Sequence, residues 1–155
     1  MHAAPLPGAL GEGGSDEEAK AREVMGRASV RKGKQGEGEV VRLLSQVWPE
    51  AHRSGHLQRN SGLKVPDVDG TPYWVEVKRG KRVNVRLAMA QAELDAEGDA
   101  RPPVVIYRED GRREWMVAMA LDELVWCRGR GRVGTGDRSL IAHVELKDWL
   151  AAVIP

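Results

Sequence analysis

Glu76 and Lys78 stand two residues apart in the apolar stretch "YWVEVK", and Asp67 precedes Glu76 by nine residues in "PDVDG". Side chains alternate between faces along a strand, so Glu76 and Lys78 share one face, with backbones about 7 Å apart at a rise of ~3.3 Å per residue. Asp69 and Gly70 mark a turn between the two pieces, and a hairpin there brings Asp67 alongside. Two carboxylates meeting at one place repel unless a cation or a proton neutralises them. Hard oxygen ligands suit Mg²⁺ or Mn²⁺, which keep several waters and also take oxygens from a substrate phosphate. The chemistry implied is phosphodiester hydrolysis. The metal polarises the phosphate and acidifies a water, while Lys78 orients that water or offsets the charge growing on the phosphorus centre. By itself "VEVK" reads as an exposed acid–base pair on an amphipathic strand, a very common pattern.

The segment "RKGKQGEGEVVRLL" adds to this pattern. Its apolar residues Val40, Val41, Leu43, Leu44, Val47 and Trp48 recur at helical spacing until Pro49 stops the run, which predicts a helix over 36–48. Glu37 and Glu39 point about 200° apart around such a helix, so only one of them faces the site. Glu37 lies on the N-terminal turn, near the positive end of the helix dipole, and Arg31, Lys32 and Lys34 precede it within reach of a phosphate backbone. Arg79, Lys81 and Arg82 form a second basic run and "RGRGR" a third. The formal net charge is only +1, with residues 1–29 at −2 and the remainder at about +3. Charge alone therefore does not establish a nucleic-acid partner, although separated basic runs can converge on one face.

The elements needed to hold these residues fit one domain of 155 residues. Residues 1–29 mix Gly, Ala, Pro and acids without a sustained apolar period and read as a mobile tail, with a short helix near "DEEAKAREVM". After the helix, "AHRSGHLQRNSGLKV" reads as an irregular strand and loop, and "TPYWVEVKRG" as a clear strand. "RLAMAQAELDAEG" is helical and stops at Gly98, and two strands flank Asp110-Gly111 in a tight hairpin. "ALDELVWC" reads as a short helix, and "VELKDWLAAVI" closes the chain as a strand and a helix. This order predicts an α/β or α+β domain around a small mixed sheet flanked by helices.

Taken in order, "RKGKQGEGE", "PDVDG", "VEVK" and a later helix carrying Gln91 resemble the PD-(D/E)xK nucleases with the restriction-endonuclease-like fold. Within that superfamily the pattern is most similar to the archaeal-type Holliday junction resolvases. The resemblance covers about residues 31–119 and implies Glu37, Asp67 and Glu76 as acids of a Mg²⁺ site, in which Mn²⁺ can substitute, and Lys78 as the catalytic lysine. It further implies a DNA-binding homodimer making paired cuts at four-way junctions. Gln91 is an accessory candidate for a phosphate or a metal-held water, or plain polar surface. The segment before Asp67, where the family often carries a serine or a base, leaves Ser54, Arg59 and Ser61 open. The spacing from Asp67 to Glu76 is shorter than in archaeal members, which implies a tighter hairpin, and residues 120–155 extend beyond the match. A nuclease of this superfamily acting on other DNA, of restriction, repair or flap type, and an inactive DNA-binding relative are the alternatives.

Other chemistries find little support. The single Cys127 cannot form an internal disulfide and has no zinc-spaced partner. "GRGRVG", residues 129–134, is followed by too little chain for a dinucleotide-binding unit, so Arg128, Arg130 and Arg132 read as phosphate contacts or as linker. His52 and His56 lack a third ligand. No run approaches the ~18 apolar residues of a membrane span, and an intracellular, cytoplasmic location is the default expectation.

Overall fold

The computed structural model describes residues 14–55, 64–127 and 140–153 of the chain. The chain falls into two units, Met1–Lys32 and Gly33–Pro155. Helix α1, Gly14–Leu44, begins in the first and ends in the second. Much of the expected tail is thus helical, and the short helix near "DEEAKAREVM" continues without a break into the one expected from Gly36, so Glu37 lies in the last turns of α1 and not on an N-terminal turn at the positive end of the dipole. Residues 16–31 are exposed, so no apolar period signals the helix there. Strong helix formers and the spaced ion pairs Glu18–Arg22 and Glu23–Arg27 support it instead.

The second unit is built on a six-stranded sheet whose spatial order follows the chain: β1 (His52–Arg53), β2 (Val68–Asp69), β3 (Trp74–Gly80), β4 (Pro103–Glu109), β5 (Met116–Ala120) and β6 (Ile141–Glu145). Four of the pairings are antiparallel; β3 and β4 run parallel, in register from Trp74↔Pro103 to Gly80↔Glu109. A parallel pair needs a crossover, and helix α2 (Val85–Asp95) supplies it. Asn84 caps α2 by accepting the Leu87 N–H at 3.1 Å. Helices α3 (Leu121–Cys127) and α4 (Leu146–Val153) follow β5 and β6. This is a mixed, mostly antiparallel α+β arrangement, as the sequence predicted.

Strand alternation sorts the side chains into two cores. Val75, Val77, Val104, Ile106, Val117 and Met119 pack against Val40 and Leu44 of α1 and Leu146, Trp149 and Leu150 of α4. Trp48, Tyr73 and Trp149 close this core as an aromatic group with ring centroids 4.9–5.8 Å apart. On the other face Val105 and Ala118 meet Ala88, Met89 and Ala92 of α2. Glu76 and Lys78 alternate with Val75 and Val77, so they lie on the α2 face of the sheet.

The β2–β3 turn depends on Gly70, whose φ is +76°. A Cβ there would lie 2.1 Å from the Glu50 carbonyl oxygen, so the turn and the chain before β1 pack too closely for any side chain.

Candidate active site

Asp67 is fixed through its backbone and its side chain alike. Its N–H donates to the Val75 carbonyl at 2.8 Å, and its own carbonyl accepts the Ser54 N–H at 3.1 Å. Val68 is also paired with Val75, so two residues of one strand face one of the next, the count of a β-bulge. The bulge turns the Asp67 carboxylate onto β3, where it accepts the Val77 N–H at 2.8 Å in place of a ladder carbonyl. Burial pushes the Asp67 carboxyl up to about 7, with Glu76 and then Glu37 adding to the rise while the Val77 bond and Lys78 oppose it.

Glu76 and Lys78 are joined by an ion pair across their shared face. Burial works against the Lys78 charge, but the hydrogen bond and charge of Glu76, then the charges of Asp67 and Asp95, outweigh it and raise its pKa. An ammonium has three protons to donate, and one goes to Glu76.

Helix α1 divides its two glutamates as the 200° separation requires. Glu37 accepts from Arg53 at 2.9 Å (Nε) and 2.5 Å (Nη2), and it is close enough to Asp67 to raise that carboxyl. Glu39 turns to the other side and is clamped by Arg79 at 3.1 Å and Arg108 at 2.5 Å. Arg108 in turn lies over the Trp115 ring at 4.5 Å. Arg79, expected on a DNA-binding face, thus points to the α1 side of the sheet, because it alternates with Lys78. Arg53 was not singled out from sequence; its one signal is a base on the short strand that runs beside β2.

The remaining candidates are scattered. Arg31 and Lys32 end the first unit, and Lys34 is exposed early in the second. Lys81 and Arg82 are exposed in the turn after β3. Gln91 donates to Asp95 at 2.8 Å, and Lys64 pairs with the same carboxylate, holding it below the usual range. Ser54 is fully buried, and its hydroxyl has no hydrogen-bond partner among the described residues. Arg59, Ser61, His56 and the "RGRGR" run lie outside the described residues. Tyr107, paired in register with Lys78, shares a 3.0 Å hydrogen bond with His143 and widens the polar surface on this face.

Size does not locate the site. A hollow of about 940 Å³ opens between the end of α2 and Pro102-Pro103, but Glu93, Glu97, Asp99 and Asp122 line it, which suits a polyanion poorly. A smaller hollow of about 400 Å³ begins at Lys78 and is edged by Arg79 and Arg82. Among the described residues no three His, Cys, Asp or Glu side chains stand together as a ready metal cage. The donor set nonetheless fits a hard divalent cation, because Mg²⁺ is commonly held by one or two carboxylates with waters and phosphate oxygens completing its shell. Asp67 and Glu76 are such a pair, and the Asp67 carboxyl is raised first by burial and then by the charge of Glu76 beside it. No described helix is long and apolar enough to cross a membrane. No protein-family model, curated protein or solved structure matches the chain.

Proposed function

We propose that the chain is a metal-dependent DNA endonuclease with a restriction-endonuclease-like core, acting on four-way junctions as a homodimer. The observation that carries this reading is the grouping of Asp67, just before β2, with Glu76 and Lys78 on the β3 strand paired to it, and with Glu37 near enough to act on the same charge. The mixed sheet flanked by helices also supports it, since the resemblance implies such a sheet.

Asp67 and Glu76 would hold Mg²⁺, and Glu37 would act on the water beside it. A bound divalent cation supplies charge to a phosphate oxygen and acidifies a water. Lys78 keeps protons free to orient that water or to meet the charge growing on the phosphate. Burial of Asp67 excludes competing solvent and keeps its carboxylate aimed by the Val77 N–H. Two copies related by a two-fold axis match the approximate two-fold symmetry of a four-way junction, which gives paired cuts.

The test is a labelled four-way junction incubated with Mg²⁺, beside linear duplex and flap DNA of the same sequence. Paired cuts that vanish in Glu76→Ala support the proposal. Efficient cutting of duplex or flap but not junction would keep the nuclease and remove the junction assignment, whereas cutting unaffected by Glu76→Ala would remove the site.

A further inference from the structure

The hollow of about 400 Å³ that starts at Lys78 has a composition unlike the rest of the basic surface. Lys78, Arg79 and Arg82 are its cationic lining, and Gly80, Val83, Leu87 and Ala88 add apolar surface. Leu87 is 66% exposed, a large apolar side chain left open to solvent in the first turn of α2. Burying such a surface favours a flat apolar ligand, and a cation at either side favours one that carries phosphates.

The polar groups in the hollow are partly committed, and the commitment fixes what they offer. The Asn84 Oδ1 is spent on the Leu87 N–H, which leaves its amide N–H protons as donors. Gln91 spends Nε2 on Asp95, which leaves Oε1 as an acceptor. The turn carrying Val83 is held in place by the Glu109 carboxylate, which accepts the Val83 N–H at 3.1 Å. A donor, an acceptor and apolar surface lining one hollow match the edge and face of a nucleobase, whose face packs on apolar side chains while its edge hydrogen-bonds.

We propose that this hollow receives the base of the nucleotide next to the phosphate that is cut, with Lys78 at that phosphate and Arg82 at the following one. The proposal rests on the nuclease reading above and deepens it, because it assigns Leu87, Asn84 and Gln91 a part in choosing where the strand is cut. Stacking on Leu87 contributes binding to any base; Asn84 and Gln91 discriminate among them.

The test uses the full chain and DNAs identical except at one nucleotide flanking the cut, which is each of the four bases or an abasic residue. With the wild type, the abasic residue at that position lowers kcat/KM about tenfold. Leu87→Ala shows the same loss on ordinary DNA and no further loss on abasic DNA. Asn84→Asp keeps the helix cap, removes the donor and changes the order of preference among bases. Equal cutting of abasic and ordinary DNA by the wild type, or an equal loss on both in Leu87→Ala, overturns the proposal, as does a change of oligomeric state in Leu87→Ala, which would mean that a second copy covers this face. Binding of DNA carrying 2-aminopurine at the flanking position, with Ca²⁺ in place of Mg²⁺, reads the hollow independently of cleavage. A fluorescence change present in the wild type and absent in Leu87→Ala supports the proposal even if no cutting occurs, and in that case only the nuclease reading falls; an identical response in both proteins overturns it.

Discussion

Arg53 places two of its nitrogens on a single oxygen of Glu37, at 2.9 and 2.5 Å, and so ties the short strand β1 to helix α1. Glu37 also stands near enough to Asp67 for its charge to raise that carboxyl. Arg53 therefore acts on the site through Glu37. Arg53→Ala should lower the cleavage rate about 10–100-fold, the range for partners that orient a site's acids. Its stability should change by no more than about 1 kcal/mol, since the Arg53 side chain is 38% exposed. Single-turnover rates and urea melts check both halves, and an unchanged rate would separate Arg53 from the site.

The pH dependence of stability follows from Asp67, whose carboxyl lies at about 7 in the fold against 3.8 in a free chain. Between those values the folded protein holds a proton that the unfolded chain has lost. Its contribution is therefore full below about pH 3.8, declines as pH rises, and is gone above about 7. Asp67→Asn keeps an acceptor for the Val77 N–H but cannot ionise. Urea midpoints should show it gaining on the wild type from pH 5 to pH 8; a constant difference would contradict the assignment.

Lys78 lowers the Asp67 carboxyl by its charge. Lys78→Met should therefore raise the Asp67 pKa further, as read by carboxyl NMR titration. Cleavage should fall about 10²–10³-fold, the loss usual for one donor at developing charge. A titration that does not move would mean that the ammonium stands too far away to assist.

Glu39 joins α1 to both β3 and β4 through Arg79 and Arg108. Removing its charge leaves two half-buried guanidinium groups with one partner fewer. Glu39→Gln should cost about 2–3 kcal/mol in chemical denaturation. A loss below ~0.5 kcal/mol would show the clamp to be replaceable by solvent.

Gly70→Ala combines a left-handed backbone with a Cβ driven against the Glu50 carbonyl. The left-handed backbone costs about 1–2 kcal/mol on its own, and the contact adds to it. A thermal melt should show marked destabilisation, with the β2–β3 turn and Asp67 displaced. A wild-type melt would mean that the chain before β1 is free to move away.

The sequence made β3, α2 and the β4–β5 pairing readable because each carries a local signal: strand alternation in "YWVEVK", a run of helix formers ended by glycine, and Asp110-Gly111, although the connection there spans residues 110–115 and is not the tight turn expected. The same alternation already implied that Arg79 must leave the face of Lys78. What stayed hidden depends on distant partners. Arg53 finds Glu37 across sixteen positions and Lys64 finds Asp95 across the sheet's crossover, and no spacing rule connects either pair. The first half of α1 was hidden for the opposite reason: it buries nothing, and apolar period is the usual sign of a helix. The bulge at Asp67 left no mark either, because it is a matter of register between two strands.

The parallel pairing of β3 with β4 also has a kinetic consequence. Hairpins such as β4–β5 close over a short loop, but β3 can meet β4 only after the intervening chain has doubled back through α2. That closure costs entropy before its contacts reward it. Glu76 and Lys78 lie on the strand that waits, so the acids should come together late in folding. Changes at the Gly111 turn of the early hairpin should slow refolding, whereas substitutions in α2 such as Ala92→Gly should mainly speed unfolding.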